Sequence, residues 1–436
     1  MDHSLNCSEI YRRDPETARI IIICTQEISA QLTEHQHSST TAISCFSISG
    51  TLIAKKQRDV HSKEHRMKKA NRIIDTTLRE GEQTPGLSFS LVDRKRIING
   101  LAAIGVDEVE VGIATTLAGD IEPLLKYCRS THPTLSLSLW SRCCREDVRM
   151  AGRLKPDILS LSIPVSDIHL EERLGKDRAW ARRQMNEAIA MTRAAGMGVS
   201  VGFEDATRAE SGFLIEMAIL AVQAGAERIR LADTVGICSP LKIHGLFTMI
   251  QETVGDCELA VHTHNDYGMA TANALTALEA GASWTDVTVL GLGERAGCAR
   301  LEEIVGFLAL EQGRRDLAPE HLKGLAEYVA NRASRTIDPA RPLIGDRIFT
   351  CETGLHLQGL QKNPRTYEPY PPESVGARRT LLYGSKCGRR AFTEKLLQLG
   401  CPLEKGQINR HITSLRERAR AKGIALTDTE LLADML

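Results

Sequence analysis

The chain reads as an α/β protein: a (β/α)8 TIM barrel followed by a smaller, helical and loop-rich C-terminal region. Three observations carry that expectation. From Arg72 onward, short apolar runs alternate with amphipathic stretches at roughly 30-residue spacing, the repeat of βα units. Several amphipathic stretches close on glycine, in Ala103-Ile104-Gly105, Ala195-Gly196, Ala224-Gly225 and Ala280-Gly281, the residue favoured just past a helix C-terminus. Aliphatic residues dominate and aromatics are only 4%, which suits Ala, Val, Ile and Leu packing between parallel strands and helices.

Taken in order, strands are expected near 72–78, 108–112, 135–139, 158–163, 199–203, 228–231, 259–262 and 286–290. Helices are expected between them, for example over 93–103, 180–194, 213–224, 241–253 and 271–280, with a closing helix near 301–310. The catalytic barrel is thus placed at 71–315 and the second region at 316–436. The second region opens with a helical stretch and a proline-containing link, Ile337-Asp338-Pro339-Ala340-Arg341-Pro342, and ends in helix. Residues 1–70 lack the repeat. They hold an Ile20–Ile23 run, a Ser/Thr/His-rich patch and a charged stretch, with acids where a leader would have none. They are expected to be a disordered or non-native extension, with Met67 a sensible start.

At 436 residues the chain has room for one large and one smaller domain. The formal net charge is zero, which gives no footprint for nucleic acid. No apolar run approaches the ~18 residues needed to span a bilayer. The twelve cysteines are scattered, without C-x-x-C, as in a reduced cytoplasmic enzyme acting on small molecules.

Chemistry concentrates at two strand ends. Arg72-Ile73-Ile74-Asp75-Thr76-Thr77-Leu78-Arg79-Glu80-Gly81-Glu82-Gln83 runs from an apolar strand into dense charge, the expected catalytic rim of a barrel. In Val261-His262-Thr263-His264-Asn265-Asp266 the two histidines share one strand face at the end of the seventh strand. Glu80, on a near neighbour in an eight-strand ring, can close a His-His-carboxylate metal site. Such donors suit Zn²⁺, Mn²⁺ or Mg²⁺, and ligand type alone does not choose.

The wording of these stretches resembles a family. Asp75–Gly86 (D-T-T-L-R-E-G-E-Q-T-P-G) is similar to the opening strand of the acyltransferases that condense acetyl-CoA with a 2-oxo acid: the homocitrate, isopropylmalate and citramalate synthases. Val201–Arg208 (V-G-F-E-D-A-T-R), Thr288–Gly297 (T-V-L-G-L-G-E-R-A-G), the Ile337–Gly345 link and Glu352-Thr353-Gly354-Leu355-His356 extend the resemblance over about 72–410, closest to homocitrate synthases of the nitrogen-fixation type. The resemblance implies the same barrel and a divalent metal held by His262, His264 and Glu80. The implied reaction is condensation of acetyl-CoA with 2-oxoglutarate to give homocitrate, a ligand of the nitrogenase cofactor. Isopropylmalate or citramalate synthesis, from 2-oxoisovalerate or pyruvate, is the alternative; an inactive binding relative is a third.

Roles follow from that reaction. Arg79 stabilises the alkoxide formed on the keto oxygen. Gln83 orients the oxo acid, Thr234 binds its carboxylate and Glu204 relays a proton. His356, with Tyr367, is the general base. The C-terminal region is implied to complete the active site of a partner subunit in a homodimer. Arg142, after the third strand, is the candidate for the distal carboxylate of a dicarboxylic substrate, with Arg208 its competitor. Four positions depart from the family pattern. Cys298 stands where Asn is usual; a thiolate there would ligate metal, a neutral thiol would leave the position to water. Cys351 replaces His, Gly384–Arg389 differs from G-K-H-S-G-R, and Ser200 stands where lysine-pathway homocitrate synthases have Arg.

Overall fold

Eight parallel strands hydrogen-bond in sequence order and close into a barrel, the eighth pairing back onto the first. The computed structural model describes residues 71–115 and 119–433; the expected N-terminal extension over 1–70 lies outside them. The strands are β1 (Arg72–Asp75), β2 (Glu108–Ile113), β3 (Ser136–Arg142), β4 (Ile158–Pro164), β5 (Gly198–Glu204), β6 (Arg228–Asp233), β7 (Glu258–Thr263) and β8 (Trp284–Val287). The intervening helices are α1 (Leu91–Ile104), α2 (Ile121–Thr131), α3 (Arg145–Leu154), α4 (Arg178–Ala194), α5 (Ser211–Ala224), α6 (Pro240–Val254), α7 (Ala270–Glu279) and α8 (Leu301–Leu310). Ser90 and Asp93 form a capping box at the start of α1. Gly105 ends that helix at φ 91°, where a Cβ would also lie 2.4 Å from the Asp316 carbonyl oxygen.

Three strands depart most from expectation, and β3 is one of them, running to Arg142, three residues past its expected end, so that Arg142 closes the strand rather than following it. β1 stops at Asp75, because the next residues fold into a turn. The Thr76 carbonyl accepts the N–H groups of Arg79, Glu80 and Gly81, and the Asp75 carboxylate accepts from the Thr77 N–H and hydroxyl. β8 begins two residues earlier than expected, at Trp284, whose indole N–H donates to Glu258 at 2.7 Å. It ends at Val287, and Leu290 takes a left-handed φ of 61°.

The two faces of the strands do different work. Ile73, Val109, Leu137, Leu159, Val201 and Ile229 point to the main apolar core shared with the helices. The alternate residues form the barrel interior, where Ile74, Ala260 and Trp284 make a separate small cluster. Above that cluster the interior is ionic. Arg228 of β6 donates two hydrogen bonds of 2.9 Å to Glu108 of β2, across the ring. One step toward the C-terminal ends, Arg230 contacts Glu110 at 3.1 Å and Asp286 at 3.3 Å.

Past the barrel, α9 (Leu322–Arg332) packs on α1, with Tyr328 and Arg332 both bonded to Asp93. A two-stranded parallel sheet, β9 (Thr350–Cys351) with β10 (Thr380–Leu381), precedes and follows α10 (Gly354–Lys362). The remaining helices are α11 (Arg389–Gln398), α12 (Lys405–Lys422) and α13 (Asp428–Leu432). Leu357, Phe392, Ile408, Ile412 and Leu415 give this region a core of its own. No described helix is long and apolar enough to cross a membrane.

Candidate metal centre and active site

Four buried side chains converge at the C-terminal mouth of the barrel. Glu80 comes from the turn after β1, His262 from β7, His264 from the residue just past it, and Cys298 from the loop after β8. One ligand atom from each lies within 4.8 Å of the others. The two imidazole Nε2 atoms are 3.3 Å apart; Glu80 is 3.9 Å from His262 Nε2 and 4.0 Å from His264 Nε2. Cys298 Sγ lies 3.8 Å from His264 Nδ1.

The donor set fits a divalent metal ion. His262 Nδ1 is 2.8 Å from Asp286 Oδ2, so the ring donates its proton there and turns the Nε2 lone pair toward Glu80 and His264. Burial, then neighbouring His262, pushes the pKa of His264 down to about 4, so its imidazole is neutral at pH 7, the form a metal ion would need. Burial alone would raise Glu80, but the Arg79 guanidinium and the two imidazoles outweigh it and hold the carboxylate below its ordinary range. Burial pushes the Cys298 thiol well up.

Arg79 sits beside this group. It bonds Glu110 through Nε and Glu80 through Nη1. Burial opposes its charge, but Glu110 and Glu80 more than compensate, so it stays cationic. Glu110 is itself shared by Arg79 and Arg230, which overcome the burial penalty and pull its carboxyl down to about 2. The Gln83 amide nitrogen, in the orientation that satisfies it, donates to both Glu80 oxygens at 3.2 and 3.3 Å.

The other expected residues divide into two groups. Half-buried Glu204 and Thr234 stand at the ends of β5 and β6. Glu204 accepts from Ser162 at 2.8 Å and from Arg173, and the Thr234 hydroxyl accepts the Asp205 N–H at 2.8 Å. Arg142 and Arg208 are not free cations at the mouth. Exposed Arg142 is gripped by Asp147 through two hydrogen bonds of 2.8 and 2.9 Å, and Arg208 is held by Asp205. His356 and Tyr367 are exposed on the C-terminal region, their rings in contact at a centroid distance of 4.2 Å and tilted by 36°. No hydrogen bond joins them to the metal group among the described residues.

Sequence reading missed Glu110, Arg230 and Asp286. Their signal was present: Glu108-Val109-Glu110 and Arg228-Ile229-Arg230 alternate charged with apolar residues inside strands that are otherwise buried. Charge at every second strand position marks a polar interior face.

This barrel and donor set define the class. The chain belongs to the HMGL-like family, which it matches over residues 70–329. Residues 343–423 match a second family, described as homocitrate synthase post-HMGL domain-like. Among curated relatives, 2-isopropylmalate synthase 2 of Caldanaerobacter subterraneus subsp. tengcongensis is 40% identical, over 83% of this chain and 94% of that protein. The homocitrate synthase of Frankia alni is 39% identical, over 76% of this chain and 94% of its own. Among solved structures, the Bacillus subtilis HMG-CoA lyase shares the fold with a TM-score of 0.57 at 17% identity, over 62% of this chain and 95% of that one.

Proposed function

We propose that the chain is an acyltransferase that condenses acetyl-CoA with 2-oxoglutarate to give homocitrate and CoA, in support of nitrogenase cofactor synthesis. The observation that carries the reaction class is the buried Glu80, His262 and His264 group with the Arg79 guanidinium clamped beside it. A divalent ion bound there, Zn²⁺, Mn²⁺ or Mg²⁺, would polarise the keto group as a Lewis acid.

The remaining work falls to side chains. Gln83 orients the oxo acid beside Glu80. The Thr234 hydroxyl, already accepting a backbone N–H, keeps its own proton for the substrate carboxylate. Condensation breaks a C–H bond of the acetyl methyl group, forms a C–C bond to the keto carbon and leaves negative charge on the keto oxygen. Arg79 is a fixed cation aimed at that charge, which exists only as the reaction proceeds. His356 takes the methyl proton, with Tyr367 beside it and Glu204 as relay. Water then cleaves the thioester and CoA leaves. Exposure of His356 and Tyr367 supports a homodimer in which residues 316–436 complete the partner's barrel.

Arg142 is assigned to the distal carboxylate. Asp147 takes its Nε and Nη2, and the Nη1 end is what it offers a substrate. A second reading, with 2-oxoisovalerate or pyruvate as acceptor, is favoured by one observation: both Arg142 and Arg208 already have a carboxylate partner. The test is CoA release from acetyl-CoA with 2-oxoglutarate, 2-oxoisovalerate and pyruvate, for the wild type and Arg142→Ala. The homocitrate reading requires 2-oxoglutarate to be best and to lose about 1.5–3 kcal/mol of kcat/KM in the variant, the scale of a charged hydrogen bond. A wild type that prefers either other acid refutes it.

A further inference from the structure

We propose that Cys298 Sγ is a fourth protein ligand of the metal centre, and that it tunes this centre toward thiophilic divalent ions such as Zn²⁺ and Co²⁺ over Mg²⁺ and Mn²⁺. The inference rests on the metal reading of Glu80, His262 and His264 given above.

Placement is the first support. His264 and Cys298 are joined by an isolated antiparallel bridge, which sets their side chains on one side. The Asn265 N–H donates to the Gly297 carbonyl at 2.9 Å, and the Cys298 N–H to the Gly291 carbonyl at 3.1 Å, so the loop is fixed from both directions. Two ligands about 2.1 Å from a tetrahedral centre lie roughly 3.4 Å apart, and a sulfur at about 2.3 Å stretches this slightly. The imidazole Nε2 atoms, 3.3 Å apart, stand on that scale, and Cys298 Sγ, 3.8 Å from the Nδ1 of the same His264 ring, lies within 4.8 Å of a ligand atom of each of the other three residues.

Surroundings are the second. The other buried thiols among the described residues pack as small hydrophobes: Cys128, Cys143 and Cys238 in the barrel–helix core, and Cys387 in the C-terminal core. Cys298 is 3% exposed yet belongs to no apolar cluster. Gly293 keeps its approach open, since a Cβ there would stand 3.0 Å from Sγ and 3.3 Å from Glu80 Oε1.

Charge is the third. The linked buried groups around the centre comprise two guanidiniums, Arg79 and Arg230, and three carboxylates, Glu80, Glu110 and Asp286. A divalent ion turns their single negative excess into a single positive one, and a thiolate cancels it. The S–H bond breaks, its proton leaves to solvent and the metal–sulfur bond forms. A thiolate in the set disfavours Mg²⁺ and Mn²⁺, which prefer oxygen.

The full chain, stripped of metal, should take up one Co²⁺ and show a near-ultraviolet thiolate-to-cobalt charge-transfer band. Cys298→Ser should lose the band and weaken Zn²⁺ binding at least about 10-fold, since even residues behind the ligands cost 10–100-fold. Cys298→Asn should lower the Zn²⁺-to-Mn²⁺ affinity ratio by a similar factor. X-ray absorption of the Zn²⁺-loaded wild type needs no variant and should find one sulfur at about 2.3 Å. A shell of light atoms alone, or a Cys298→Ser chain with full Zn²⁺ affinity, overturns the ligand assignment and leaves the three-residue site standing. A wild type that takes up no divalent ion overturns both.

Discussion

Asp286→Asn isolates the charge that stands behind the proposed metal centre. Asp286 Oδ2 accepts from His262 Nδ1 at 2.8 Å and faces Arg230 at 3.3 Å, while Oδ1 has no partner. Asparagine has the same shape. With its oxygen in the Oδ2 position it keeps both contacts, but as a neutral acceptor, and its amide nitrogen is buried where no acceptor waits. A hydrogen bond to an ionised group is roughly twice as strong as a neutral one, so the hold on the His262 tautomer weakens without being lost. Carboxylates that orient a ligating imidazole are worth about 10–100-fold in metal affinity, or roughly 1.4–2.8 kcal/mol. The variant should therefore bind Zn²⁺ in that measure more weakly, read by competition with a chromogenic chelator, at unchanged stoichiometry. Its metal-free fold should lose about 1–3 kcal/mol, the cost of an unmatched buried polar group. A folded variant with wild-type Zn²⁺ affinity would show that His262 needs no charge behind it, and the account of its tautomer would fall.

Three further outcomes are expected. Arg79→Ala should lower kcat by about 10²–10³-fold, the scale of losing one donor to a developing oxyanion; a change confined to KM would mean that Arg79 serves ground-state binding. Mixing a chain lacking His356 with one lacking Arg79 should restore activity after subunit exchange, and silence despite demonstrated exchange would remove His356 from the partner's site. Burial pushes the Glu302 carboxyl up to about 7, so the folded state keeps a proton that the unfolded state releases near 4.5. That contribution is complete below the unfolded value and is lost as pH rises through the folded one. The unfolding free energy of the wild type should accordingly fall from about pH 5 to 7 more steeply than that of Glu302→Gln, by up to about 1.4 kcal/mol per pH unit, and parallel curves would refute it.

The barrel was legible because its outward strand faces and helices obey simple periods. Ile73, Val109, Leu159 and Val201 are apolar at the positions a helix must cover. The ends of β1 and β8 were not legible, because side chains override the apolar run there. The Asp75 carboxylate caps the Thr77 N–H, and Trp284 is pinned by Glu258 before the run begins. The Glu80, His262 and His264 group could be read from spacing, and those three side chains do converge. Arg142 shows the limit of such reading. It was expected after β3 but is the last residue of that strand, and Asp147, five residues on and in the first turn of α3, takes its guanidinium, of which a strand-end position alone gives no notice.

The ionic interior explains how a flexible side chain such as Arg79 can be held still. Buried ion pairs are weak contributors to stability, because desolvation cancels most of the attraction. Their value here is connectivity. Glu108 and Arg228 form one layer above the Trp284 cluster, Glu110, Arg230 and Asp286 the next, and Arg79, Glu80 and His262 the one at the mouth. Glu110 and Asp286 each touch two layers: Glu110 joins Arg230 to Arg79, and Asp286 joins Arg230 to His262. The guanidinium of Arg79 cannot rotate without breaking a bond to a carboxylate that Arg230 already fixes, and the His262 ring is fixed through the same Arg230. One cation in the interior thus sets the orientation of both the proposed oxyanion donor and a proposed metal ligand, which ties the geometry of the reaction to the strands rather than to the loops above them.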